Sequence, residues 1–532
     1  MRFHWLISPG AALLGCVLWS APLGRAADVL ANPGFEQGQA VLGWNSYSAG
    51  SGNVLVQSTA GVAHGGTNYL KVYQAFNGSV NYSGVYQDNL SGPGGVFAAE
   101  GWACTRSGDA LAGQNAAWIE VTFRDATGNV LALYRSALIT SNALAGGAFP
   151  KNTWIDLPVT NQYNPNTFAI TNSTKSLVAP EGTSFVRYQV TFQGDANGSA
   201  GSVYFDDLTL VQTGGGPMGN WNIVWSDEFS GTSINPATWT YDTGNGSGGW
   251  GNNELEYYTS QRQNACVSNG ILHIVALHQS TNGFHYTSAR MKTQGLFTAQ
   301  YGRLEFRAKL PTGAGYWPAL WMMPEDSVYG GWAASGEIDV MENIGTVPTN
   351  VLGTIHFGGA YPKQAQSYGP SCNFLPGDSV TNFHNYLLDW TTNAITWCLD
   401  GRLYETQTNW WSSSNPADPS IRNPYPAPFN EPFYIIMNLA VGGTLGGTPD
   451  NSVFPGDMQV DYVRLYNLTA PLQLSATAGH DTVTLAWPAG IVCHLVSTTN
   501  VTAGNWTNVP GTANPLVLGL NSAAAFYRLV SP

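Results

Sequence analysis

Charge is scarce in this chain. Only 10% of its 532 residues are Asp, Glu, Lys or Arg, and basic residues are the rarer sign, 20 against 33 acidic. So few cations exclude the phosphate-tracking surface of a nucleic-acid binder and favour a neutral ligand over an acidic polymer. Apolar runs long enough to span a bilayer are missing, so no membrane span is expected. Segments of 3.6-residue periodicity are missing too, which excludes a helical bundle. No internal repeat or charge run is present. Cysteine is sparse: six residues, Cys16 in the first segment and Cys104, Cys266, Cys372, Cys398 and Cys493 beyond it. None forms a C-x-x-C pair, which excludes the common zinc motifs. An odd number beyond the leader allows at most two disulfides, and Cys372 with Cys398 is one candidate.

Glycine, proline, aromatic and β-branched residues fill the chain instead, in short alternating runs between Gly/Asn/Asp turns. This is an all-β composition, and its length suggests three or four domains. Residues 1–26 carry Arg2, an apolar stretch and small residues near Ala26, and read as a secretory signal peptide. Its removal takes Arg2 and Arg25 and leaves 18 basic against 33 acidic residues, a net charge of −15. A secreted or cell-surface-associated monomer is expected. Residues 28–212 read as one β-sandwich, 213–219 as a Gly-rich linker, 220–467 as a larger β unit, and 468–532 as a small β module or sorting tail.

The densest chemistry is Gly336-Glu337-Ile338-Asp339-Val340-Met341-Glu342-Asn343. In a strand, Glu337 and Asp339 share one face, and Ile338 and Val340 the other. Glu342 has the wrong parity. One extra residue around Val340-Met341, a β-bulge, returns it to the face of Glu337. The two Glu backbones then lie roughly 13 Å apart, and their side chains can approach the ~5–5.5 Å used by a retaining glycosidase. Three acids on a solvated face are the plainer alternative. Yet acids clustered without Lys or Arg repel one another.

Sugar clefts pair acids with aromatic platforms. Trp250 and Asn253 sit in a Gly/Asn-rich loop, and Trp317 and Trp321 share a face of the preceding strand. His356, on the following strand, is placed to reach Asp339 or Glu342. Arg290 is one of few cations here and is suited either to sugar hydroxyls or to an acid partner.

Residues 220–467 resemble glycoside hydrolase family 16, specifically its laminarinase-type endo-β-1,3-glucanases. The resemblance rests on Trp225-Ser226-Asp227-Glu228-Phe229, Gly251 to Tyr258, Trp317-Pro318-Ala319-Leu320-Trp321, Gly336 to Asn343, His356-Phe357-Gly358 and Val460 to Arg464. It implies a bent β-jelly roll with a cleft on its concave sheet. It implies Glu337 as nucleophile, Asp339 as its helper and Glu342 as acid/base, with Trp250, Asn253, Arg290, Trp317, Trp321 and His356 in the substrate cleft. No cofactor is implied for catalysis. A structural calcium is implied through backbone oxygens near Glu228 and Gly270 and the carboxylate of Asp461.

Two departures stand out: Glu256 where many relatives carry Gln, and Cys398 where an aromatic is common. The bulged spacing differs from lichenases but is shared with agarases and carrageenases. A non-catalytic β-glucan lectin, an enzyme on another polysaccharide and a transglycosylase are the alternatives.

The opening and closing strands of 28–212, Leu30 to Glu36 and Val203 to Leu210, resemble secreted carbohydrate-binding jelly rolls. That implies a polymeric glucan as ligand and a calcium near Glu36 and Asp207. Trp44, Tyr82, Tyr86 and Trp102 are candidates for sugar stacking or for core packing.

Overall fold

The computed structural model describes residues 28–468 except 39, 49–52, 142–148, 215–220 and 370, together with strand segments at 5–7 and between 475 and 530. The leader lies outside the described residues except for Trp5–Ile7, and so does the linker beyond Gly214. The regular secondary structure of the described chain is almost entirely strand, and no helix in it is long and apolar enough to cross a membrane.

Alternation drives the N-terminal sandwich. In Ala116–Arg124 and Phe185–Gly194, the residues Ile119, Val121, Val190 and Phe192 are fully buried, and their neighbours turn to the other face. These strands pair antiparallel with each other and with Asn81–Leu90. Their apolar face packs on a second sheet that includes Val96–Cys104 and Ser202–Gly214, around Phe35, Phe97 and Phe205. The first and last segments meet as expected: Asp28 bridges Val211, and Val29 N–H donates to Leu210 O at 2.9 Å.

The larger unit is also a two-sheet sandwich. One sheet contains Gly302–Lys309, His384–Trp390, Ile395–Leu399 and Gly456–Leu468; the other contains Tyr316–Pro324, Glu337–Glu342, Asn350–Gly358 and Phe433–Val441. Leu304, Phe306, Leu388, Trp397 and Val463 face Leu320, Met322, Ile338, Ile355 and Met437 across the core. Phe433–Val441 is buried along its whole length, which explains its nearly unbroken apolar run.

The two sandwiches are joined edge to edge. Leu90 N–H donates to Gly401 O at 2.7 Å and Asn89 pairs with Arg402, so one sheet runs on from module to module. The C-terminal module, taken together with Trp5–Ile7, has a three-stranded sheet and a four-stranded sheet, the latter with Trp5–Ile7 as its edge strand, around Val483, Leu485 and Leu495.

The candidate disulfide is absent. Cys372 and Cys398 are buried free thiols, because they stand on different sheets: Cys372 pairs beside Val351, and Cys398 pairs with Leu387 and Leu403. Arg402 Nη2 instead donates to Cys372 Sγ at 3.1 Å.

Candidate active site

The acid strand carries the bulge that parity demands. Asp339 pairs with Thr354 and Glu342 with Leu352, three steps on one strand against two on its neighbour. On the other side Asp339 faces Trp321 and Met341 faces Leu320, so Val340 is the extra residue. Ile338, Val340 and Met341 all point into the core, while Glu337 and Glu342 are half-buried on the opposite face with Asp339 between them. Trp397, from the far sheet, donates its indole N–H to Asp339 O at 2.8 Å and pins the strand at this point. It passes directly over Gly353, where a Cβ would lie 2.5 Å from the Trp397 ring.

Each Glu holds one indole donor. Trp332 Nε1 donates to Glu337 Oε2 at 2.5 Å, and Trp317 Nε1 to Glu342 Oε1 at 2.9 Å. His356 Nε2 lies 3.2 Å from Asp339 Oδ2 and 3.9 Å from Glu337 Oε1, ion-pair distances without straight hydrogen-bond geometry. Burial opposes charge on His356, but Asp339, Glu337 and Glu342 outweigh it and push the imidazolium up to about 9. The ring is therefore the cation of the cluster at neutral pH. Burial, and then the charge of Glu337, push Glu342 up to about 6 against the Trp317 hydrogen bond and the His356 charge. Burial, then Glu337 and Glu342, push Asp339 well above the ordinary carboxyl range. Among the described residues, Glu337, Asp339 and His356 are the one such group whose ligand-type atoms all lie within 4.8 Å of one another.

The expected platform residues come together beside the acids. Arg290 is sandwiched between Trp250 at 4.6 Å and Trp321 at 4.7 Å. Its Nε is 3.0 Å from Asp242, which Lys292 also meets at 2.6 Å. Of the two roles open to Arg290, the acid partner is the one present. Trp321 Nε1 donates to Asn438 Oδ1, Asn438 Nδ2 to the Tyr258 hydroxyl, and that hydroxyl to Glu254 Oε2, at 2.7, 3.0 and 3.1 Å. This chain fixes the Trp321 ring and satisfies the polar side chain of Asn438 inside an apolar strand. Trp250 and Asn253 both have positive φ in the tight turn Gly249–Asn253, and Asn253 is exposed at its end.

Glu256 is fully buried beside Glu254, and burial followed by that neighbour pushes its carboxyl far up. Its Oε2 accepts the Val441 N–H at 2.7 Å. Held neutral, it has the donor-and-acceptor character of an amide, as suits the Gln that the resemblance implies at this position.

Sequence reasoning missed Trp332, Asp242 and Asn438. Trp332 stands five residues before Glu337 in a Gly-rich turn, a spacing that could have drawn attention. Asp242 and Asn438 are far along the chain, and only their neighbours reveal them. Replacing Trp332 by Phe keeps the ring and deletes the donor to Glu337. A charge-assisted hydrogen bond of roughly 1.5–3 kcal/mol predicts a kcat loss of about tenfold or more. Steady-state kinetics check it; unchanged kcat counts against that hydrogen bond having a catalytic role.

The calcium candidates separate into two kinds. The Glu228 carboxylate takes Arg464 in a two-pronged pair at 2.8 and 2.7 Å, and Asp461 takes Arg307, while Gly270 sits in a turn at φ +77°. Glu36 and Asp207 flank Gly65 and Gly66, where added Cβ atoms would lie 2.5 Å from Asp207 and 2.4 Å from Glu36. Glu36 accepts from Thr67 and Asn68, and Asp207 is 2.6 Å from His64 Nδ1. Asp206, beside them, is fully buried and pushed up to about 6, chiefly by burial.

The larger unit is similar in sequence to known proteins. The family model described as "Glycosyl hydrolases family 16" matches residues 252–464. A glucan endo-1,3-beta-glucosidase A1 of Niallia circulans is 44% identical over 304 residues, 54% of this chain and 43% of the relative. The chain thus spans less than half of that relative's length. A beta-glucanase of Rhodothermus marinus is 42% identical over 259 residues, 46% of this chain and 85% of the relative. The solved laminarinase of Rhodothermus marinus is 41% identical, with a TM-score of 0.42, over 47% of this chain and 98% of that one.

Proposed function

This chain belongs to family 16 of the glycosyl hydrolases, and from that premise we propose that it cleaves internal β-1,3 linkages of a neutral glucan by a retaining double displacement. The observation that carries the reading is the bulge at Val340, which puts Glu337 and Glu342 on one face, each with its own indole donor. Glu337 attacks the anomeric carbon as the glycosidic bond breaks. Glu342, neutral below about pH 6, gives its proton to the leaving oxygen. In the second step Glu342 takes a proton from water, and the resulting hydroxide equivalent displaces Glu337 from the sugar. Asp339 and His356 set the charge around the nucleophile.

A neutral substrate fits the charge of the cleft. Arg290 and Lys292 share the single carboxylate of Asp242, and the acids Glu337 and Glu342 in the same sheet disfavour an anionic sulfate ester. The names of the relatives favour β-1,3-glucan. The test is product analysis on laminarin, curdlan, lichenan, agarose and carrageenan side by side. Oligosaccharides are expected from laminarin and curdlan; release from agarose or carrageenan alone would overturn the reading.

A structural calcium belongs to the same proposal. Asp461 would have to exchange Arg307 for the ion. Among the described residues, Glu36 and Asp207 face His64 alone as a competing cation, and so fit an oxygen-ligated ion better. Calcium is expected to raise the melting temperature of the chelator-treated full chain. Superimposable calorimetric traces with and without calcium would rule it out.

A further inference from the structure

We propose that Glu254 and Glu256 are a positioning pair for the substrate cleft: one proton held between them fixes the rings of Trp321 and Trp250, so that substrate affinity in this chain falls when the proton leaves. The inference deepens the hydrolase reading above and rests on it. Both acids act through other residues rather than on the sugar.

Both side chains are buried at the foot of the turn Gly249–Asn253. The backbone there is anchored from two sides. Val441 O accepts the Leu255 N–H at 2.8 Å, and Asn245 Nδ2 donates to Glu254 O at 3.0 Å and to Glu256 O at 2.7 Å. Glu256 Oε2 takes the Val441 N–H, but its Oε1 is buried with no N–H or O–H directed at it from the described residues. The Glu254 carboxyl is its hydrogen-bond neighbour. Two buried carboxylates in that position repel each other unless a proton lies between them. An acid proton on Glu256, donated to Glu254, satisfies both groups. Burial, and then the charge of Glu254, keep that proton in place far above the ordinary carboxyl range.

Glu254 passes this state to the cleft in two directions. Its Oε2 accepts the Tyr258 hydroxyl, the end of the chain that runs from the Trp321 indole through Asn438. Its Oε1 accepts Asn252 Nδ2 at 3.4 Å, within the turn that carries Trp250. Trp250 and Trp321 are the two rings that hold Arg290. At Gly443 an added Cβ would lie 3.2 Å from both Glu254 Cγ and the Trp317 ring, so Glu254 has little slack on that side. Three other titratable groups face the pair. Tyr258 belongs to the same segment, and burial, Glu256 and Glu254 hold its proton on. Arg290, from Arg290–Lys292, faces Tyr258 and is paired with Asp242. Tyr286, opposite Glu256 in the parallel pairing with Tyr286–Ser288, sends its hydroxyl to Asn451 at 2.7 Å. Phe433–Val441 and Tyr316–Pro324 present the neutral groups Val441, Asn438, Trp317 and Trp321. Once Glu256 ionises, two anions stand together in a buried site. Glu254 then turns away, and its bonds to Tyr258 and Asn252 go with it.

The test separates affinity from chemistry. KM and kcat on laminarin are measured from about pH 5 to about pH 10 for the full chain and for Glu256→Gln, whose amide keeps its donor hydrogens at every pH. The parent's KM is expected to rise about tenfold or more along the alkaline arm, while kcat follows its own profile. Glu256→Gln is expected to hold KM level. A merely structural Glu256 would shift KM alike at all pH values. A second readout needs no turnover. The indole N–H signal of Trp321 in the isotope-labelled full chain, identified by its loss in Trp321→Phe, is expected to move with pH in the parent and to stay in place in Glu256→Gln. Tyr258→Phe, which cuts the chain to Asn438, is expected to stop that movement too. Parallel KM profiles in the parent and Glu256→Gln, an indole signal that ignores pH, or one that ignores the exchange at 256 would each overturn the pair's role. Failure to release oligosaccharides from laminarin at any pH would speak against the hydrolase reading alone, since the indole signal still reads the pair.

Discussion

Glu337→Ala is expected to lose hydrolysis by about four orders of magnitude or more, and to regain turnover of an activated β-glycoside when azide is added. The product should be the α-glycosyl azide, because a small anion in the vacated space attacks once, from the face that Glu337 occupied. Glu342→Ala should behave differently. It keeps its nucleophile, is still glycosylated by substrates with good leaving groups, and should yield the β-glycosyl azide after two inversions. Asp339→Asn should be impaired without rescue. The geometry behind this division is the separate donor on each Glu and the upward displacement of Glu342 by burial. Proton NMR of the first products reads the anomer directly. Swapped anomers in the two Glu variants would reverse the roles, and an initial α-anomer from the intact enzyme would remove the retaining mechanism altogether.

His356→Gln is expected to lower kcat by about a hundredfold and to move the basic limb of kcat/KM to higher pH. The sign follows from charge. Imidazolium at 356 draws Glu342 downward, so its loss lets Glu342 hold its proton to a pH above about 6. Stability should change in step. In the folded chain His356 is pushed up to about 9, above its ordinary value near 6.5. The proton it binds therefore stabilises the fold fully below about pH 6.5, and that contribution is lost as pH rises through about 9. The difference is about 3 kcal/mol. The parent's melting temperature should fall across that window more steeply than the variant's. Parallel curves from pH 5.5 to 9.5 would show that the ring is not charged in the native cluster.

Parity is local, and what depended on parity was legible. Glu337, Asp339 and the out-of-step Glu342 required an inserted residue near Val340, and the pairing has it there. The shared face of Trp317 and Trp321, and a His356 within reach of Asp339, follow from the same rule applied to neighbouring strands. The all-β class was equally visible, because alternation and turn residues recur throughout. What a side chain meets across the core or around a loop is set by distant segments, and alternation says nothing of it. Glu256 is held neutral because burial and the adjoining Glu254 oppose its charge, and they outweigh the N–H that Val441, 185 residues away, donates to it. Arg290 is clamped because Asp242, Trp250 and Trp321 converge from three segments. Cys372 and Cys398 stay unpaired because they stand on two different sheets, although only 26 positions part them in the chain. Trp44 and Tyr82 looked alike as sugar platforms, yet sheet packing buried the first and left the second open beside a cavity. Sequence alone thus determined which residue types line each face, since a strand's two faces are written in its own alternation. Only the tertiary structure decided which face is a cleft, which is core and which acids carry a proton, because burial and partner charges come from residues that the chain brings together only by folding.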